Sequence, residues 1–196
     1  VGLLVLTVFL ESCVGGSGGG AAGGATSYTV NNCSDTGTAY QTYEYYNGGS
    51  DLNQNAGNNS PLQYVCASSA YARDATGDGI QVAVVDTGLN ETHSEIDANF
   101  VDYTSGSDVA NSDDDASDDN GHGSHVAGII AGERSGATSS GSAQGVAYDA
   151  EIYGFKILDS NGDGTVADAG TAYGLIEAIG AIDIINNSWG IDSDCT

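Results

Sequence analysis

The tightest constraint on the fold is a run of six residues, 80–85 (IQVAVV), nearly all apolar and rich in β-branched side chains, with a carboxylate, Asp86, directly behind it. Short apolar runs without polar alternation suit strands covered on both faces, as in a parallel sheet. Residues 152–158 (IYGFKIL) and 182–185 (IDII) read as two more such strands. Between them, residues 126–131 (VAGIIA) and 166–179 read as helices, the second with Val166, Ala169, Tyr173 and Ile176 on one stripe. Residues 62–75, Ala-rich and followed by Gly77, predict a leading helix with a glycine stop. Strands alternating with helices imply an α/β fold, a parallel sheet with helices on both faces. In such sheets the working crevice lies beyond the carboxyl ends of the strands. Asp86 follows the first strand, residues 186–190 (NNSWG) follow the third, and His122 opens the short helix between them.

Charge narrows the partners. With 27 Asp and Glu against 3 Lys and Arg, the formal charge is −24. Phosphate backbones and anionic membrane surfaces repel such a chain, because binding there relies on cationic side chains displacing counterions. Nucleic acid is therefore excluded as a partner.

Residues 1–10 (VGLLVLTVFL) are apolar but too short to cross a bilayer as a helix, which takes about 20 residues. They suit the apolar part of an export signal, with a buried strand as the alternative. The chain has no Met and starts at Val1, so residues 1–13 read as a truncated signal. Leu10, Glu11, Ser12 and Cys13 resemble the bacterial lipobox, which implies lipid attachment at Cys13 and contact with a membrane only through that anchor. Residues 14–26 are almost all Gly, Ala and Ser, a flexible tether within a lead-in extending to residue 61. In an exported protein Cys33 and Cys66 suggest a disulfide worth about 3–4 kcal/mol, with free buried thiols as the alternative.

An Asp at the end of a buried strand needs hydrogen-bond donors, and an imidazole N–H is a natural one. Asp86 paired with His122 would fix the tautomer of the ring and stabilise its protonated form. The surrounding segments, Val82 to Gly88 (VAVVDTG) and Asn120 to Gly128 (NGHGSHVAG), resemble the Asp and His segments of the subtilisin-like serine proteases. Gly145 to Ala150 (GVAYDA) is similar to a further family segment, with Tyr148 in place of Pro, and residues 185–190 (INNSWG) resemble the stretch that lines the substrate groove. Asp before His along the chain is also the order in subtilisin, where the Ser comes third. The resemblance implies that Asp86 orients His122 and that His122 acts as general base and then general acid. It further implies that Gly162, Asp163 and Gly164 on one side, and Ser188, Trp189 and Gly190 on the other, pair with an extended polypeptide substrate. Residues 62–196 then read as the N-terminal part of a peptidase domain, incomplete at its C-terminus.

One departure stands out. The family's nucleophilic Ser and oxyanion Asn lie well downstream of the groove-lining segment, and Ser193 lacks the required small-residue setting. The chain alone is expected to be inactive, as part of an active protein. Other readings carry less. His122 and His125 could share a metal with Asp86, but no further ligand is at hand, so no metal site is expected. Residues 159–164 (DSNGDG) match the first half of a calcium loop, yet Gly170 stands where its bidentate Glu belongs, leaving calcium a weak option and no other cofactor. A lipid-anchored, non-catalytic binding module is the competing class. The lipobox-like signal, the Gly-rich tether and the segment Ser68 to Gly77 (SSAYARDATG) together also look like those of autotransporter subtilases. A monomer is expected, exported to the bacterial surface, as an outer-membrane lipoprotein or into the medium.

Overall fold

The computed structural model describes residues 4–7, 62, 65, 67–71, 73–101, 106–133 and 144–190. Cys13, Cys33, Cys66, Ser193 and the tether lie outside them. The elements run β1 (Leu4–Thr7), α1 (Ala67–Tyr71), β2 (Gln81–Asp86), α2 (His122–Ala131), β3 (Glu151–Lys156), α3 (Val166–Ile179) and β4 (Ile184–Asn187). The four strands form one sheet in the order β1-β4-β2-β3, and every pairing is parallel. β2 lies between β3 and β4, with Val82 opposite both Ile152 and Ile184. β1, inside the apolar run 1–10, pairs with the outer edge of β4 from Leu4↔Ile184 to Thr7↔Asn187.

The alternation of side chains along β2 builds two cores. Val82 and Val84 pack with Ile152, Leu89, Ile96 and the Val126, Ala127 and Ala131 face of α2. Ala83 and Val85 point the other way, onto Phe155, Ile185 and the Ala169, Ala172 and Ile176 face of α3. Helices therefore cover both faces, and both flanks of β2 are dry, as its unbroken apolar run requires. A smaller cluster of Leu62, Ala67, Tyr71 and Tyr148 joins α1 to the segment before β3, with the Tyr71 hydroxyl donating to the Val146 carbonyl at 2.8 Å.

Several boundaries differ from those expected. Of the leading helix expected over 62–75, Leu62 and Ala67–Tyr71 are helical among the described residues, and the chain has turned by Asp74, whose φ is 59°. The third strand sits two residues later than residues 182–185 suggested, because Asp183 is engaged with Gln81 through both backbone and side chain before the ladder begins. α3 has the expected bounds, fixed by a capping box between Thr165 and Asp168 and a stop at Gly180. Its buried stripe is Ala169, Ala172 and Ile176, however, and Val166 is exposed. Val166 occupies the first helical position, beyond the reach of the sheet.

Ile152 is fully buried in the α2-side core. Ile152→Ala should cost about 2–5 kcal/mol, read as a lower urea midpoint with an unchanged m-value.

Candidate active site

Because the strands are parallel, β2, β3 and β4 all end at one edge of the sheet. Asp86 closes β2 there with none of its surface exposed. Its Oδ1 accepts from the Thr87 amide at 2.7 Å and from His122 Nδ1 at 2.7 Å. A carboxylate can only accept, so the imidazole proton sits on Nδ1. Nε2 is thereby left as a basic lone pair, and among the described residues it makes no hydrogen bond. The His122 side chain is about half exposed (46%), while the carboxylate it meets is fully buried.

The helix that carries His122 begins in an unusual way. Its N-cap is Gly121, in the left-handed region at φ 102°, and Gly121 has no side chain with which to cap. The free amides of the first turn find acceptors elsewhere. Gly123 N–H donates to Thr87 Oγ1 at 2.9 Å, and Ser124 N–H donates to Asp118 Oδ2 at 2.9 Å. Asp118 Oδ1 accepts further from Gly121 N–H and Asn120 N–H at 2.8 and 3.1 Å. A glycine is required at 123 because the loop after Asp86 runs against it: a Cβ there would lie 2.1 Å from the Gly88 carbonyl oxygen. This close backbone approach lets the side chains of Asp86 and His122 meet.

Lys156 ends β3 beside Asp86 and is buried, its ammonium donating to the Thr87 carbonyl at 2.7 Å and to Asp119 at 2.6 Å. Charge-assisted bonds of this kind offset the cost of burying a cation. The two remaining edges of the crevice follow β3 and β4. Residues 159–164 form a turn in which Asp159 Oδ1 accepts the amides of Asn161 and Asp163, and those amides hold the Asp159 carboxyl below its ordinary range. Asn120 Nδ2 donates to the Ser160 carbonyl at 3.0 Å, joining this turn to the His122 loop. On the other side, the Trp189 indole N–H donates to the Val85 carbonyl at 3.0 Å, so the segment after β4 is tied to β2 one residue before Asp86. Ser188 Oγ donates to Asn186 Oδ1 at 2.8 Å. Tyr173, its phenol pushed up by burial, donates to Asn187 Oδ1 at 2.9 Å.

The arrangement brings Asp86 and His122 into contact and places 162–164 and 188–190 beyond the strands that flank them. His125 is exposed on α2. Among the described residues no three His, Cys, Asp or Glu side chains converge as a metal site. Asp118 stands in an acidic run that would ordinarily form a solvated face, yet it is half-buried and accepts from five donors. Sequence reasoning missed Lys156, although it is the sole lysine of the sequence and lies in a run that had to be buried.

Residues 77–195 match the subtilase family. The chain belongs to that family. It is 38% identical over 128 residues to the thermophilic serine proteinase of Bacillus sp. (strain AK1), covering 64% of this chain and 30% of that protein. It is 32% identical over 178 residues to the minor extracellular protease Epr of Bacillus subtilis (strain 168), covering 85% and 24%. A crystal structure of a cold adapted subtilisin-like serine proteinase shares 35% identity, with a TM-score of 0.44 over 53% of this chain and 33% of that one. The subtilase chain thus spans less than a third of the length of these two sequence relatives.

Gly123→Ala should destabilise by about 1–3 kcal/mol through overpacking against backbone, seen as a lower thermal midpoint. Burial pushes the Asp118 carboxyl up, but bonds from Ser124, Gly121 and Thr87 outweigh it and hold the group below its ordinary 3.8. Its stabilising contribution is therefore complete above that value and is lost as pH falls through the lower folded one. The Ser124 amide resonance should titrate with a midpoint below 3.8, and Asp118→Asn should abolish the step.

Proposed function

We propose that this chain belongs to an exported serine endopeptidase that cleaves peptide bonds with an Asp–His–Ser triad, of which Asp86 and His122 are two members. The observation that carries the reading is the 2.7 Å contact between a fully buried carboxylate and Nδ1 of a half-exposed imidazole at the carboxyl edge of a parallel sheet. In this reading Asp86 holds the Nδ1–H tautomer and stabilises the imidazolium, while Nε2 takes the proton of an attacking hydroxyl and then delivers it to the leaving amine. Family membership supports the same chemistry.

The substrate is an extended polypeptide. It pairs with the backbone of Gly162, Asp163 and Gly164 on the β3 side and with Ser188, Trp189 and Gly190 on the β4 side, which reads main chain and gives broad cleavage. The positions of these segments, on either side of Asp86, support that role. The nucleophile comes from outside the described residues, and Ser193 is not it. Two buried polar atoms at this edge, Oδ2 of Asp86 and Nδ2 of Asn187, have no partner among the described residues. Leaving such groups unmet costs about 1–3 kcal/mol each, which supports a further segment closing over the edge. Export fits the acidic composition, with a disulfide joining Cys33 of the lead-in to Cys66, and with Cys13 as a lipid anchor in a mature chain that has lost residues 1–12 and with them β1.

The 196-residue chain by itself should not turn over casein. The whole protein should do so, and in it Asp86→Asn should lower kcat by on the order of 10⁴-fold through loss of the productive tautomer. Equal turnover by wild type and His122→Ala would refute the assignment.

A further inference from the structure

The Asp118 carboxylate sits where the loops carrying Asp86 and His122 are joined. Those loops, 87–90 and 116–124, are zipped by backbone bonds from Leu89 to Ala116 and from Asp118 to Leu89. Two hydroxyls cross the seam. Thr87 Oγ1 donates to Asp118 Oδ1 at 2.8 Å and accepts from the Gly123 amide at 2.9 Å. Ser124 Oγ donates to Asp118 Oδ2 at 2.5 Å and accepts from the Asn90 amide at 2.9 Å. Each hydroxyl has a single proton to give. Because a carboxylate only accepts, it claims both protons, and each hydroxyl then turns a lone pair toward an amide on the opposite loop.

We propose that Asp118 is the positioning residue of the Asp86–His122 pair: by orienting the hydroxyls of Thr87 and Ser124 it locks the first turn of α2 onto the loop after β2, and so fixes the His122 ring on Asp86. The inference rests on reading that pair as the proton-transfer part of the site. Two further features agree with it. The same carboxylate takes the Gly121 and Asn120 amides on one side and the Ser124 amide on the other, so it brackets His122 in sequence. Gly121 contributes no side-chain cap of its own, which leaves the start of α2 dependent on groups outside the helix. An amide at 118 has one acceptor oxygen and one donor group, and it can orient only one of the two hydroxyls.

The test is the tautomer of His122 in the full chain, read from the ¹⁵N shifts of its ring nitrogens at a pH where the ring is neutral and assigned by their loss in His122→Gln. Wild type should show the Nδ1–H form. Asp118→Asn should lose it in favour of the Nε2–H form that free imidazole side chains prefer. Thr87→Val, which keeps shape and removes only the hydroxyl, should do the same, and Thr87→Ser should restore wild-type shifts. A folded Asp118→Asn or Thr87→Val protein that retains the Nδ1–H form overturns the inference while leaving the Asp86–His122 pair intact. Should Asp118→Asn fail to fold, the Thr87 pair of variants decides alone. A wild-type chain without the Nδ1–H form overturns the reading of the pair and this inference with it.

Discussion

A carboxylate cut off from water has to be met by donors, and the placement of Asp86 sets that demand at one point of the fold. The strand before it is buried on both faces, so Asp86 ends in a dry position with no exposed surface. The Thr87 amide and the His122 ring both donate to its Oδ1. For the second bond to form, α2 must begin within one side chain's reach of the end of β2. That requirement explains the glycines at 88 and 123, whose backbones touch, and a helix start held by borrowed side chains. The sheet supplies the edge, and the buried charge dictates what is packed against it.

The sheet also determines what stands on either side. With β2 between β3 and β4 and all three parallel, the turns that follow β3 and β4 flank Asp86 without any special device. Each is then pinned: the 159–164 turn by Asn120, the segment after β4 by the Trp189 indole. Both pinned segments thus lie on either side of one half-exposed imidazole.

Much of this was legible in the sequence, and the reasons for success and failure are physical. The runs at 80–85 and 152–158 are too apolar for a half-exposed strand, so their burial and parallel pairing could be read directly, as could α3, with its bounds. Asp86 stood out because a polar residue at the end of a buried run needs a reason to be there, and its pairing with His122 through the resemblance of the segments around the two. Asp118 did not, since a carboxylate among Asp113, Asp114, Asp115 and Asp119 looks like any other until the fold brings two hydroxyls to it. Helix stripes were misjudged where position along the helix mattered more than angle around it, as at Val166. The Asn187 side chain, buried and bonded to Tyr173 from another element, left no local signal at all.

The burial of Lys156 has a consequence for handling the molecule. It is the only lysine among 196 residues, and its ammonium is enclosed between a backbone carbonyl and a carboxylate. The folded surface therefore presents no lysine amine to acylating reagents, aldehydes or lysine-directed proteases. Labelling of Lys156 becomes a direct count of molecules whose loop after β2 has come away from the sheet.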